Sequence, residues 1–177
     1  LKRYGFPLSE QYIVNYRGLD ASKISSQQIS RSDRKYDFIT VGRLIEEKGI
    51  MEALRAVRKL KRDGIKFKYA IVGDGPLKAK CLSYIKENDL TDYIDFYGHL
   101  PESNVFSLMQ DSRNFILLSE KKGECLPNVI KEAMLSKCYI LSGSSDYIDE
   151  LIPNDKAGVI VRRFNHDQVV KYLKDFL

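Results

Sequence analysis

Glu124 and Glu132 stand eight positions apart in the stretch EKKGECLPNVIKEAMLSKCYIL, residues 120 to 141, with Pro127 and Asn128 between them. Ionised carboxylates accept hydrogen bonds from paired hydroxyls such as those of a ribose or a sugar ring. If Pro127 takes the first helical position, the free amides of Asn128 and its neighbours face whatever sits at the helix mouth. Ile130, Ala133 and Met134 then form an apolar stripe at i, i+3, i+4. Asn128 and Glu132 share a different face, and helical side chains lean toward the N-terminus. Glu132 therefore aims at the mouth while Glu124 reaches in from the loop. A surface glutamate and an acidic charge favoured near a helix start have the same spacing, so both readings stay open.

Three other loops carry residues suited to one extended ligand. In VGRLIEEKG, Arg43 directly follows an apolar run and Lys48 directly precedes a helical pattern. Two cations at a helix start suit a diphosphate, because the helix N-terminus already favours anions. Arg43 brings a planar fork for phosphate oxygens and Lys48 a point charge. In VGDGP, Gly73 and Gly75 around Asp74 allow close backbone approach to a ligand; a tight strand-to-helix turn would also need them, and the full dinucleotide glycine spacing is absent. SGSSDYIDE, from Ser142 to Glu150, offers small residues after another strand, with Ser144 or Ser145 also suited to cap a helix.

The elements that must hold these loops alternate strictly. Strands are predicted at YDFITVG (36–42), FKYAIVGDG (67–75), YIDFYGHL, NFILLSE, CYILSG and GVIV. Helices are predicted at 51–64, closed by Gly64, then from Pro76 to about Asn88, from Pro101, from Pro127, at DYIDELI, and over 165–177. Such alternation argues for an α/β fold: one Rossmann-like domain with a mostly parallel six-stranded sheet and helices on both faces. Ligands in that architecture bind at the carboxyl ends of the strands. The serine-rich segment ASKISSQQISRSDRK reads as a loop, giving a lead-in over residues 1–35 and a domain over 36–177.

Composition narrows the class. The 177 residues are 44% hydrophobic and 30% charged, values of a globular protein. No apolar run approaches the roughly 18–20 residues of a membrane-spanning helix. LKRYGFPLSEQYIV has neither the apolar stretch nor the cleavage site of a signal peptide. Cys81, Cys125 and Cys138 show no metal-ligand spacing, favouring a reduced, cytoplasmic setting and no bound metal. Much of the net charge of +5 lies in RAVRKLKRDGIKFK. That face could meet anionic lipid or nucleic acid, but its interleaved apolar residues favour a solvated amphipathic helix. Nothing resembles a nucleic-acid-binding motif.

Taken together, GRLIEEKG, IVGDGP, GECLPNVIKEAM and AGVIV resemble, in order and spacing, the C-terminal donor-binding domain of retaining glycosyltransferases with the two-Rossmann GT-B fold, of the glycosyl transferases group 1 or family 4 type. The resemblance covers about residues 8 to 177. It implies that Arg43 and Lys48 hold a donor diphosphate and stabilise the departing nucleoside diphosphate. Glu124 would contact the transferred sugar and Glu132 the ribose. Amides from Leu126 through Pro127 and Asn128 to Val129 would complete the phosphate site, beside Gly42, Gly73, Asp74 and Gly75. His99, in GHLP, would lie near the nucleotide base. The donor would be a nucleotide-sugar such as a UDP- or GDP-hexose, with no cofactor and no metal. An N-terminal Rossmann domain, absent from these residues, would bind a saccharide or lipid-linked acceptor, with a peripheral membrane contact as an open option. Cys125-Leu126, Ser144-Ser145 and Arg17 depart from the family pattern. Sugar epimerases or phosphorylases of the same fold, and a free-standing nucleotide-binding module, are the rival expectations.

Overall fold

The computed structural model describes residues 30–119, 127–146, 148–162 and 165–177. Strands β1 (Tyr36–Val41), β2 (Tyr69–Val72), β3 (Ile94–Gly98), β4 (Ser112–Leu117), β5 (Tyr139–Gly143) and β6 (Gly158–Val161) alternate with six α-helices. These are α1 (Ile50–Arg62), α2 (Lys78–Glu87), α3 (Glu102–Gln110), α4 (Asn128–Leu135), α5 (Ile148–Leu151) and α6 (His166–Asp175). The strands form one sheet in the order β3-β2-β1-β4-β5-β6, and all five pairings are parallel.

Period-two side-chain alternation sorts the strand residues into two cores. Phe38, Ile71, Ile116 and Leu141 face one side and pack with α1, α2 and α6. Ile39, Ala70, Phe115 and Ile140 face the other, against α3, α4 and α5. Both faces being covered explains why these strands read as continuous apolar runs. The single buried polar exception in β1, Thr40, is satisfied: its hydroxyl lies 2.6 Å from the Tyr69 hydroxyl and donates to the Ile116 carbonyl at 2.8 Å.

Helix ends follow local rules with one systematic shift. Gly64, Asp89 and Lys137 take left-handed φ values of 75°, 49° and 59° just beyond α1, α2 and α4. Each lets the next residue's amide reach back into the helix, as Cys138 N–H does to Ala133. The prolines correct the expected starts. Pro101 and Pro127 occupy the N-cap, with ψ of 149° and 122°, instead of the first helical position. Pro76 precedes α2 by two residues. A proline φ fits either place; what excludes these two from the helix is their extended ψ.

Residues 30–35 are tied to the amino end of β4. Buried Arg34 donates to the Ser112 carbonyl at 2.6 Å and to Lys137 O at 3.1 Å. Arg31 donates to Asn114 Oδ1 at 2.8 Å, and Arg113 bridges Asp37 and the Ser32 carbonyl. No helix among the described residues is long and apolar enough to cross a membrane.

Candidate functional site

The strand order runs outward in opposite directions from the β1–β4 pair. Connections leaving β1 and β4 therefore pass to opposite faces, and a crevice opens at their carboxyl ends. Sequence-predicted residues collect along this rim. Gly42 and Arg43 follow β1, and Arg43 is exposed. Lys48 is half-buried and ends a single 3-10 turn, Glu46–Lys48, that leads into α1. Gly49, left-handed at φ 66°, is the α1 N-cap.

Close packing fixes the rim. A Cβ on Gly49 would stand 2.3 Å from the Leu118 carbonyl oxygen, so the start of α1 lies hard against the end of β4. A Cβ on Gly143 would stand 2.3 Å from Ser119 O, which brings the end of β5 onto the same loop. Neither glycine stood out in the sequence as a packing point; the only signal was the place of Gly49 directly after a lysine turn and of Gly143 at the end of a strand.

The glycines of VGDGP have an immediate structural partner. The Gly42 amide donates to Val72 O at 3.0 Å and the Gly73 amide to Gly98 O at 2.7 Å, which ties three strand ends side by side. Leu44 N–H donates to Asp74 O at 2.9 Å and Leu77 N–H to Leu44 O at 3.0 Å. A Cβ on Gly73 would meet Gly42 O at 1.9 Å, and one on Gly75 would meet Leu44 O at 2.6 Å. The space these glycines leave is filled by the Gly42–Leu44 loop that carries Arg43.

Asp74 is exposed and engaged. Lys78 Nζ donates to its carboxylate at 2.7 Å, and the Gly75 amide donates at 2.8 Å. The Lys78 bond, then the amide, holds the Asp74 carboxyl below the usual carboxylate range, with His99 adding a favourable field. Lys78 was missed in the sequence, although its i, i+4 spacing from Asp74 was readable. His99 is exposed just after β3.

On the β4 side, Pro127 is buried at the α4 N-cap and Asn128 is exposed as the first helical residue. Lys131 Nζ donates to Asn128 Oδ1 at 3.4 Å. Ile130 and Ala133 are buried in the second core, whereas Val129 and Glu132 are half-buried. Glu124 and Leu126 lie outside the described residues. Among the described residues no group of three or more His, Cys, Asp or Glu side chains could hold a metal ion.

The family model for glycosyl transferases group 1 matches residues 22–177. The chain belongs to that family. The Escherichia coli K12 protein WcaL, named for a glycosyltransferase of colanic acid biosynthesis, is 30% identical over 165 residues. That match takes in 91% of this chain and 40% of WcaL, so the chain spans less than half of that relative's length. Among solved structures, the C-terminal domain of the group 1 glycosyl transferase LpcC of Francisella tularensis superposes with a TM-score of 0.70 at 23% identity. The match covers 89% of this chain and 87% of that domain. The pneumococcal O-GlcNAc transferase GtfA, solved with UDP and GlcNAc, gives 0.68 at 19% identity over 80% of this chain and 28% of its own. These two likenesses establish the shared fold.

Proposed function

We propose that this chain is the donor-binding half of a retaining glycosyltransferase that transfers a hexose from a nucleotide-sugar to a saccharide or lipid acceptor in cell-envelope polysaccharide synthesis. One observation carries the reading. Arg43 and Lys48 flank the loop that enters α1 at the point where the strand order reverses. A diphosphate lying across that loop meets a guanidinium, an ammonium and a helix N-terminus, and these stabilise the negative charge that grows on the leaving nucleoside diphosphate. With that neutralisation in place, no divalent metal is required.

The remaining roles follow along the rim. Amides from Leu126 to Val129 receive phosphate oxygens at the mouth of α4. Glu132 accepts hydrogen bonds from the ribose hydroxyls, Glu124 from those of the transferred sugar, and His99 lies beside the base. A UDP- or GDP-hexose fits these groups. A second, N-terminal Rossmann domain supplies the acceptor wall, because retaining transfer needs an acceptor hydroxyl held close to the anomeric carbon. The enzyme works in the cytoplasm, in peripheral contact with the inner face of the membrane.

Calorimetric titration of the chain with UDP, GDP and their hexose conjugates, in the presence of a chelator, tests this. Binding of at least one nucleoside diphosphate is expected. Binding that requires added magnesium or manganese, or no binding by any of these ligands, overturns the reading. Sugar transfer should appear only when the acceptor-binding half is present.

A further inference from the structure

The helix layer formed by α1, α2 and α6 carries a feature remote from the strand-end rim. Arg55, Arg58, Lys59 and Arg62 of α1, Tyr84 of α2 and His166 of α6 line a surface groove of about 250 Å³. Arg55, Arg58 and Arg62 recur at i, i+3, i+7, so three guanidiniums form one row along the helix. The opposite stripe of α1, from Ile50 through Leu54 and Val57 to Leu60, is buried in the core.

The row is only partly neutralised. Arg55 pairs with Glu52 at 2.7 Å, and Lys59 pairs with Asp63, which Lys174 of α6 also holds at 2.7 Å. Arg58 and Arg62 have no ion pair or side-chain hydrogen bond among the described residues. Two unpaired guanidiniums thus share a concave site with two further cations. Planar guanidinium forks suit phosphate oxygens, and a cluster of four or more Lys and Arg on one amphipathic face gathers anionic lipid. The Tyr84 and His166 rings give the groove walls that a flat basic helix lacks.

We infer that this groove seats phosphate headgroups of an anionic phospholipid bilayer, with Arg58 and Arg62 as its principal contacts and the α1 face turned to the membrane. The inference gives the peripheral membrane contact proposed above a named surface. It is independent of donor binding, so the two can fail separately. A phospholipid surface is the occupant favoured by charge complementarity and by an acceptor class that includes lipids. The α1 face that meets it is the one opposite the protein core, so docking requires no unfolding. The strand-end rim stays clear, since none of its residues lines the groove.

The test is sedimentation of the 177-residue chain with vesicles of phosphatidylcholine alone and of phosphatidylcholine mixed with phosphatidylglycerol. Two variants that each lower the net charge by two are compared: Arg58→Ala with Arg62→Ala, and Lys156→Glu in the loop before β6. The unaltered chain should bind only the mixed vesicles. Loss of both arginines should weaken this about twenty-fivefold, at about fivefold per basic residue near the surface, while Lys156→Glu should retain most binding. Circular dichroism and nucleotide calorimetry on the same samples show that the fold and the donor site are intact. Equal weakening by the two variants means that net charge alone drives binding, and overturns the inference. So does an absence of binding to mixed vesicles, or tighter binding to an RNA duplex than to vesicles at equal phosphate concentration.

Discussion

The hydrogen that serves as the side chain of Gly73 faces the carbonyl oxygen of Gly42, where even a Cβ would stand 1.9 Å away. That approach locks the Arg43 loop onto the second strand end, and Gly73 sits at φ 146°, a region that L side chains rarely adopt. Gly73→Ala should therefore destabilise the fold by more than the roughly 1–3 kcal/mol of the backbone conformation alone, and nucleotide affinity should fall with it. Gly64 is the control: it is left-handed at φ 75°, but nothing lies within 4 Å of its would-be Cβ. Gly64→Ala should cost about 1–2 kcal/mol and leave nucleotide affinity unchanged. Urea unfolding of both variants decides; equal losses would show that the Gly42 contact has no energetic weight.

The two glutamates of the opening motif should separate by ligand. Glu132→Gln removes a charge-assisted bond to the ribose and should weaken UDP or GDP, with or without sugar, by about 1.5–3 kcal/mol. Glu124→Gln should weaken the nucleotide-sugar more than the bare diphosphate. Calorimetry with both ligands on both variants measures this. Identical patterns would refute the division of roles.

Acid stability should register Asp63. Hydrogen bonds from Lys174 first, then Lys59, bring its carboxyl down to about 2. A group whose folded pKa is depressed stabilises the fold fully above its unfolded value and loses that contribution as pH falls through the folded one. The contribution is thus complete above about pH 4 and is lost between there and about pH 2. Asp63→Asn should flatten this part of the stability–pH curve and lower stability at neutral pH, because it unties α1 from α6. Chemical denaturation at stepped pH is the measurement, and parallel curves for the two proteins would count against it.

Thiol chemistry should report the burial of Cys81 and Cys138. Burial pushes the Cys81 thiol up to about 11 and the Cys138 thiol up to about 12. Little reactive thiolate exists at either near neutral pH. Iodoacetamide at pH 8 should leave both unmodified in the folded chain and alkylate both after denaturation, as read by peptide mass spectrometry. Rapid labelling of Cys138 in native protein would contradict its burial against the Met109 and Ser112 carbonyls.

Much of the fold was legible because its signals are local. β-branched and apolar runs such as Phe38 to Val41, broken by Gly42, mark a strand covered on both faces. The Ile50–Leu60 periodicity marks a helix with one buried stripe. Arg43, Lys48, Asn128 and Glu132 were legible as site candidates because, once strand and helix alternate, any residue just after a strand falls at the same end of the sheet. Tertiary structure decided what depends on contacts between distant parts of the chain. The order β3-β2-β1-β4-β5-β6 chose which two loops border the crevice. Gly49 was revealed as a packing point only when Leu118 came against it, 69 positions later in the chain. Gly73 and Gly75, read either as room for a ligand or as a tight strand-to-helix turn, have the Gly42–Leu44 loop packed against them. The expected helical position of Pro127 failed for a related reason: its ring fixes φ, but ψ, which the surrounding chain sets, placed it outside the helix. The row Arg55, Arg58 and Arg62 was readable as a solvated face; its concavity arose only when α2 and α6 packed beside it. Periodicity records which side of an element is buried, whereas the closeness of two loops or the walls of a groove depend on elements that no short window of sequence contains.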